Sequence, residues 1–498
     1  MGKDKQKEDL CAIFVHGGAG YHSRENESKH LEACQQAAKA GMTFLRNGGT
    51  AVDAVEVALM VLEDAPITNA GYGSNLNVKG IVEGDASIVD HLGRSGACGA
   101  VPTVKNPIML ARKIYDQAHK SPGMSRVPPN LLVGEGAADF AWNNGVILVP
   151  DEALITPASK ARYDAWCKEI AEWEAENPKD PEQGPVNAWL RRPLTPISTR
   201  IAQMDMAAQA EIKEEMPTIG GFSSDFDDPA QLKNGKSMDG PPLKGYCAPA
   251  SPRTSTSSIN ASMSMGRSAP AGGSGSSLPT KGPEEGKDLI TDTVGAIAVD
   301  MFGNIAAGSS SGGIGMKHRG RVGPAALIGI GTHVMPIDPT DPEETSVAAV
   351  TSGTGEHIAS TFAASTCSSR VYYSQRMDHA GSFNNVTEEE AISAMITKEF
   401  TGHPAVSNSE ISGSIGIMCV KKNVDGIVLY FAHNTESFAI ASMSNYQSSP
   451  SCLMSRNVRR GPVAQGATKF RPKESKDKAK DDERDTDKKK KRKADRVS

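Results

Sequence analysis

The chain has 498 residues and 52.6 kDa, and a prior of ~150 residues per domain allows about three domains. Hydrophobic residues are 38% and aromatics 5%, below the ~45–50% apolar usage of a wholly globular chain, so part of the length is expected outside any core. With 54 Lys+Arg against 59 Asp+Glu, the net charge of −5 argues against a general nucleic-acid or membrane-surface binder.

The charged start Met1-Gly2-Lys3-Asp4-Lys5-Gln6 has no apolar run, so no secretory signal is expected, and Gln6 stands where a myristoylation signal wants Ser or Thr. No stretch approaches the ~18 uninterrupted apolar residues of a membrane helix. Residues from about 10 to 150 alternate strand-like and helix-like runs. Ala12-Ile13-Phe14-Val15 reads as a strand ending in His16-Gly17-Gly18-Ala19-Gly20. Helices are predicted near Lys29–Arg46 and Thr50–Leu62, with Thr50 and Asp53 as an N-cap signal for the second.

From roughly 150 to 290 the pattern decays. Residues 158–190 carry Trp166, Trp173 and Trp189 among many charges and suggest a helix of modest stability. The run Ala248–Gly282 is dominated by Ser, Pro, Gly and Thr, too poor in apolar surface to offset ordering entropy, and is read as a flexible insert. At Asp292 the character changes. Thr293–Val299 reads as a strand, Gly303-Asn304 as a turn and Ile305–Ser310 as the returning strand of a hairpin. Further strands and helices run to about 446, and 447–498 reads as a linker and a disordered tail. Lys473–Arg496 holds twelve Lys+Arg against eight Asp+Glu, which leaves −9 for everything before it. Its cluster Lys488-Lys489-Lys490-Lys491-Arg492-Lys493 fits a nuclear import signal, with nucleus and cytoplasm as the expected locations.

Eight cysteines, Cys11, Cys34, Cys98, Cys167, Cys247, Cys367, Cys419 and Cys452, are scattered without CxxC pairs or zinc spacing. They read as reduced thiols in an intracellular protein, with no metal site.

Several blocks carry chemistry. His16–Gly20, Asn69-Ala70-Gly71-Tyr72-Gly73 and Gly84-Asp85-Ala86-Ser87-Ile88 lie in the front half. Asp292-Thr293-Val294-Gly295, Ser309-Ser310-Ser311-Gly312-Gly313, Gly320-Arg321-Val322-Gly323 and Thr351-Ser352-Gly353-Thr354-Gly355-Glu356 follow behind the insert. Jointly and in this order, over roughly 10–150 and 290–445, they resemble the type 2 asparaginase family of N-terminal-nucleophile (Ntn) hydrolases. Within it, Gly20-Tyr21-His22-Ser23, Gly73-Ser74-Asn75-Leu76-Asn77, Lys317-His318 and His433-Asn434-Thr435-Glu436-Ser437 are similar to the threonine aspartases (taspases).

The resemblance implies an α/β fold, a four-layer αββα sandwich. It divides the chain into an α subunit (1–292, with the flexible insert at about 150–290) and a β-subunit core (293–446), produced by self-cleavage between Asp292 and Thr293. A free Thr α-amine titrates near 7.7–8.0, so Thr293 would carry its own general base beside its hydroxyl. Ser311 would tune the nucleophile, Ser352 and Gly353 would form the oxyanion hole, and Asn69 would order the pocket. Arg321 would grip an aspartyl carboxylate with parallel hydrogen bonds, with Gly18 and Tyr21 also on the substrate side.

Two departures bear on substrate. Small-substrate relatives carry an aspartate three residues after this arginine, which holds the substrate's free α-amine; here Pro324 stands there. Those relatives also place Gly before the catalytic Thr, whereas here Asp292 precedes it. Both point to an autoprocessing threonine endopeptidase cutting after internal Asp. The implied substrates are large nuclear regulators, trithorax-type histone methyltransferases and the large subunit of general transcription factor A. A β-aspartyl peptidase or asparaginase, and a non-catalytic nuclear adaptor on this fold, remain as alternatives. The expected assembly is an αβ heterodimer, possible as a pair of heterodimers, without nucleic acid or membrane. No cofactor is expected, and the Leu62–Ile67 turn resembles a structural sodium loop of the asparaginases.

Overall fold

The fold, taken from a computed structural model, is described over residues 10–118, 120, 126–176, 293–457 and 463–472. The front half supplies β1 (Ala12–Gly20), α1 (Glu27–Arg46), α2 (Ala51–Asp64), β2 (Gly84–Val89), β3 (Ser95–Val101), α3 (Pro107–Ala118), β4 (Leu131–Val133), α4 (Gly134–Asn143) and α5 (Pro157–Glu176). The second half begins with the hairpin β5 (Val294–Val299) and β6 (Ile305–Ser311), then β7 (Thr332–Met335) and β8 (Ser346–Gly353). A small ribbon, β9 (Gln375–Met377) and β10 (Phe383–Asn385), precedes β11 (Ile415–Asn423), β12 (Gly426–His433), β13 (Ser437–Ser444), β14 (Ser451–Arg456) and β15 (Ala464–Phe470).

Two larger sheets result, one of eight strands in the order β14-β13-β1-β5-β6-β2-β3-β4 and one of five in the order β15-β12-β11-β8-β7. The molecule is thus mixed α/β. Strand alternation sorts the side chains. Ile13 and Val15 of β1, and Val294, Ala296 and Ala298 of β5, pack with α1, α2 and α3 in one core. Ala12, Phe14, Ile297 and Val299 pack instead with Ala348 and Val350 of β8 and with Met418 of β11. The other face of β8, with Val347 and Ala349, packs on the helix Ala363–Tyr372.

This sorting positions the chemistry. Thr293 stands one residue before β5, in phase with Ile297 and Val299, so it belongs to the face shared with β8. Ser352 stands in phase with Ala348 and Val350 on the facing strand. α2 starts at the reciprocal cap that the sequence predicts: Asp53 N–H donates to Thr50 Oγ1 at 3.2 Å and Thr50 N–H to Asp53 Oδ2 at 3.0 Å, worth about 1 kcal/mol.

Two readings of the sequence need revision. Residues 451–456 and 464–470 are not linker, because β14 pairs with β13 and β15 with β12 along the edges of the two sheets. Their apolar anchors are few: Cys452 and Met454 touch the helix-side core, and Phe470 meets Phe14 with ring centroids 5.5 Å apart. Edge strands of such composition resemble linkers until their pairing is seen. The insert also begins later than 150, since Leu154 packs with Leu76 and Val82, and α5 continues to Glu176. The remainder of the insert, with Asp292, and the basic cluster 488–493 lie outside the described residues.

His16 packs beside β5, fully buried, with its ring 5.4 Å from that of Phe438. A methyl on Gly295 would come within 2.2 Å of His16 Nε2 and 3.0 Å of Val350 Cγ2. Gly295→Ala is therefore expected to cost about 1–3 kcal/mol of stability through overpacking, read as a lower denaturant midpoint. An unchanged midpoint would mean that His16 does not occupy this place.

Candidate functional site

Thr293 opens into a cavity of about 340 Å³. Asn69, Ser311, Arg321 and Gly353 also line it, together with Pro324, Trp166 and the Gly313–Gly315 turn. Five of the residues singled out in the sequence therefore share one cavity. Ser352 lies immediately beside its Gly353 wall, while Gly18 and Tyr21 are not among the lining residues.

Each wall has a local cause. β6 ends at Ser311, which pairs in register with Asp85 of β2. Ser311 Oγ then accepts the Gly313 N–H at 3.0 Å. Asn69 locks this turn from the other side. Its carbonyl accepts Gly312 N–H at 2.8 Å, its Nδ2 donates to Gly313 O at 2.9 Å, and its Oδ1 accepts Asn75 N–H at 2.9 Å. Asn75 Nδ2 donates to the same Gly313 carbonyl at 3.1 Å.

The β8 end is shaped by glycine. Gly353 has φ of +136°, where a Cβ would come 2.2 Å from Ser414 O. Gly18, at φ of +116°, sits where the register of β1 against β13 shifts between His16 and Ala19. Just past that shift, Ala19 N–H donates to Ser352 Oγ at 3.0 Å. The Ser352 oxygen is occupied as an acceptor there, so its own proton remains to be donated. Gly18 thus lies at the bulge that precedes the Ala19–Ser352 contact.

Arg321 projects from the loop between β6 and β7, with its side chain 15% exposed. Its Nε and Nη2 donate to Glu356 Oε1 at 3.0 and 2.8 Å. Beneath it lies Asp85, whose carboxyl is raised by burial, an effect opposed by Lys317 and by the N–H groups of Ala100 and Gly323. Burial in turn lowers the Lys317 ammonium.

Behind β6, buried Glu63 accepts Ile108 N–H at 2.9 Å and the Ser310 hydroxyl at 2.6 Å. Burial pushes its carboxyl from the ordinary 4.5 up to about 8. A raised acid stabilises the fold fully below its unfolded value and loses that contribution as pH climbs to about 8. The slope is about 1.4 kcal/mol per pH unit. Burial lowers His16 from 6.5 to about 3, so its contribution is lost in the opposite direction, as pH falls below 6.5. Of these two groups, only Glu63 contributes a slope above 6.5. Glu63→Gln is expected to flatten the fall of unfolding free energy between about pH 6.5 and 8; parallel curves for variant and wild type would contradict a protonated Glu63.

The Leu62–Ile67 turn is closed by Thr68, whose Oγ1 donates to Leu62 O at 2.6 Å and to Ala65 O at 3.1 Å. Those two carbonyls are turned onto the protein itself. Among the described residues no group of three or more His, Cys, Asp or Glu side chains gathers as a metal cluster, and no helix is long and apolar enough to cross a membrane.

Sequence reasoning did not find Trp166, Asn75 or Glu356 as parts of this site. Trp166 sits in a charged stretch that reads as insert, yet its ring covers Gly315 so closely that a Cβ there would meet it at 2.2 Å. One signal was available: Trp166 is among four tryptophans in the whole chain.

Comparison with known proteins gives the family of the chain. A family model described as Asparaginase (Asparaginase_2) matches residues 9–227 and 256–427. The human "Isoaspartyl peptidase/L-asparaginase" is 44% identical over 154 residues, 30% of this chain and 47% of that one. The zebrafish (Danio rerio) protein of the same name is 41% identical over 157 residues, 31% of this chain and 47% of that one. An Arabidopsis thaliana "Probable isoaspartyl peptidase/L-asparaginase 2" is 30% identical over 328 residues, 65% of this chain and 71% of that one. The chain spans about half the length of the animal relatives that it matches. The family model and the plant relative together show that the chain belongs to the Asparaginase_2 family of Ntn hydrolases.

Proposed function

We propose that this protein is a self-processing threonine endopeptidase that cleaves after aspartate. The two sheets and flanking helices are read as the four-layer αββα sandwich of the Ntn hydrolases. In the mature enzyme the Thr293 α-amine takes the proton of the Thr293 hydroxyl as Oγ attacks the aspartyl carbonyl. The oxyanion receives hydrogen bonds from the Ser352 hydroxyl and the Gly353 N–H. The tetrahedral adduct collapses to a Thr293 ester and the amine product leaves with the proton. Water, deprotonated by the same α-amine, then hydrolyses the ester. Ser311 and Asn69 hold the turn that faces the nucleophile, and Arg321 receives the aspartyl carboxylate.

The observation that carries this reading is Pro324, a wall of the same cavity as Thr293 and Arg321. A small zwitterionic substrate needs an acceptor for its α-amine; a peptide nitrogen needs none. The cavity volume also lies in the ~300–1,000 Å³ range of drug-sized ligands, roomier than one amino acid requires. Nuclear regulators with internal Asp sites remain the proposed substrates, and the Lys488–Lys493 cluster the proposed import signal.

A β-aspartyl peptidase or asparaginase is the second reading, and the relatives' names speak for it directly. Glu356, already paired with Arg321, is the carboxylate that would face an α-amine in that case. Incubating the processed protein with an internal-Asp peptide, with L-asparagine and with a β-aspartyl dipeptide separates the two. Cleavage of the peptide with little release from the small substrates is expected; the reverse ranking would establish the second reading instead.

A further inference from the structure

We propose that Glu83 and Asp85 are the positioning residues of the carboxylate reader, holding the backbone on both sides of Arg321, with buried Lys317 tied to the same strand. The proposal rests on the reading of Arg321 as the group that takes an aspartyl carboxylate.

Arg321 sits on a loop outside both sheets, and its own N–H makes a turn bond to His318 O at 3.0 Å. An arginine on such a loop has many rotamers, yet a reader must be held to within about 0.5 Å of its ligand geometry. The anchoring comes from the start of β2. The Gly320 N–H, one residue before Arg321, is shared between Glu83 Oε1 and Oε2 at 3.2 and 3.1 Å. The Gly323 N–H, two residues after it, donates to Asp85 Oδ2 at 2.9 Å. Asp85 Oδ1 accepts Ala100 N–H of β3 at 2.8 Å, so the two carboxylate oxygens join β3 to the Arg321 loop.

Glu83, Asp85 and Lys317 are 3%, 0% and 2% exposed. Lys317 Nζ donates to the Glu83 carbonyl at 2.6 Å, which ties the head of the same loop to the same strand. Glu83 also faces Arg319, whose Nε lies 3.7 Å from its Oε1, and buried charges of this kind are costly to alter singly. Its geometric product is visible at Gly313, where a methyl would come within 3.0 Å of Arg321 Nη1 and 3.2 Å of Lys317 Nζ. The guanidinium is held with Nη1 toward the turn that lines the cavity.

Asp85→Asn tests the grip directly. The carboxylate serves two backbone N–H groups with two oxygens; an amide has one acceptor oxygen, and its NH₂ would meet the other N–H. Gly323→Ala tests it sterically with every charge kept, since the added methyl would come 2.6 Å from Arg321 Nη1 and 3.1 Å from Asp85 Oδ2. Cooperative thermal unfolding of each full-length variant checks the fold.

Two readouts are taken. One is the ratio of kcat/KM for an internal-Asp peptide over its Asn counterpart. The other is L-aspartate binding by calorimetry to each substitution in the Thr293→Ala chain. Both variants are expected to lower the ratio and weaken L-aspartate binding by about tenfold or more, through KM rather than kcat. A purely structural role would lower both peptides alike. Parental L-aspartate binding in either variant overturns the proposal, and failure of the Thr293→Ala parent to bind L-aspartate overturns it together with the role of Arg321. If the wild type cleaves no Asp peptide while both variants still weaken L-aspartate binding, the endopeptidase reading has failed and the grip stands.

Discussion

Thr293→Ala is expected to leave one intact chain where the wild type yields two pieces, 1–292 and 293–498, and to lower hydrolysis by about 10⁴-fold or more. The magnitude follows from the chemistry concentrated in this residue. In the proposed mechanism its hydroxyl is the nucleophile and its α-amine, once free, is the base, so alanine removes the attacking atom and leaves the base with nothing to activate. The fold should survive. Thr293 lies outside β5, whose ladder to β1 runs from Gly295 to Val299 and to β6 from Val294 to Val299. Intact mass and N-terminal sequencing check both parts: a second fragment starting Thr293-Val294-Gly295 in the wild type, and none in the variant. A single chain in both would favour the adaptor reading, with this cavity serving only to bind. Fragments persisting in Thr293→Ala would place the cut, and the nucleophile, elsewhere.

How much of this was legible in the sequence depends on what each residue's role requires. The β5–β6 hairpin was legible because apolar runs flank a Gly303-Asn304 turn, and α2 because Thr50 and Asp53 announce its start. Thr293, Ser311, Arg321, Gly353 and Asn69 were legible as a group because the asparaginase blocks keep their order, although the structure brings them together from opposite halves of the chain. What alternation along one strand cannot give is which strand lies opposite. That Ala19, just past the Gly18 bulge, meets Ser352, or that Asp85 holds Gly323 beside Arg321, depends on contacts across 333 and 238 positions. Trp166 was hidden for a different reason. α5 has no clear apolar stripe, so neither its period nor its composition sets it apart from the insert, and it holds on through individual contacts such as Tyr163 and Trp166 against Gly80 and Gly315. β14 and β15 were missed because an edge strand needs few apolar residues once its partner supplies the ladder.

In the proposed reading, substrate choice turns on two positions in one wall. Arg321→Ala is expected to cost about 10²–10³-fold in kcat/KM on aspartyl substrates, the scale of truncating one partner of a largely desolvated charge pair. Arg321→Lys keeps the charge but loses the planar fork, so it should rescue only part of that loss. Stability should change little, because the one ion pair surrendered among the described residues involves Glu356, 61% exposed, and exposed pairs contribute at most about 1 kcal/mol. Pro324→Asp asks the complementary question. It returns a carboxylate to the wall beside Arg321, at a proline whose ring lies close enough to Gly355 that a Cβ there would touch Pro324 Cδ at 2.9 Å. If the missing acceptor is what excludes small zwitterions, the variant should gain turnover of L-asparagine or β-aspartyl dipeptides while losing part of its activity on the internal-Asp peptide, where a second negative charge now opposes the aspartyl carboxylate. The pair of substitutions is informative jointly. Arg321→Ala with unchanged turnover would remove the arginine as reader. A wild type that already turns over small substrates, and that Pro324→Asp does not improve, would mean that Glu356 supplies the acceptor and that the isoaspartyl reading is the correct one.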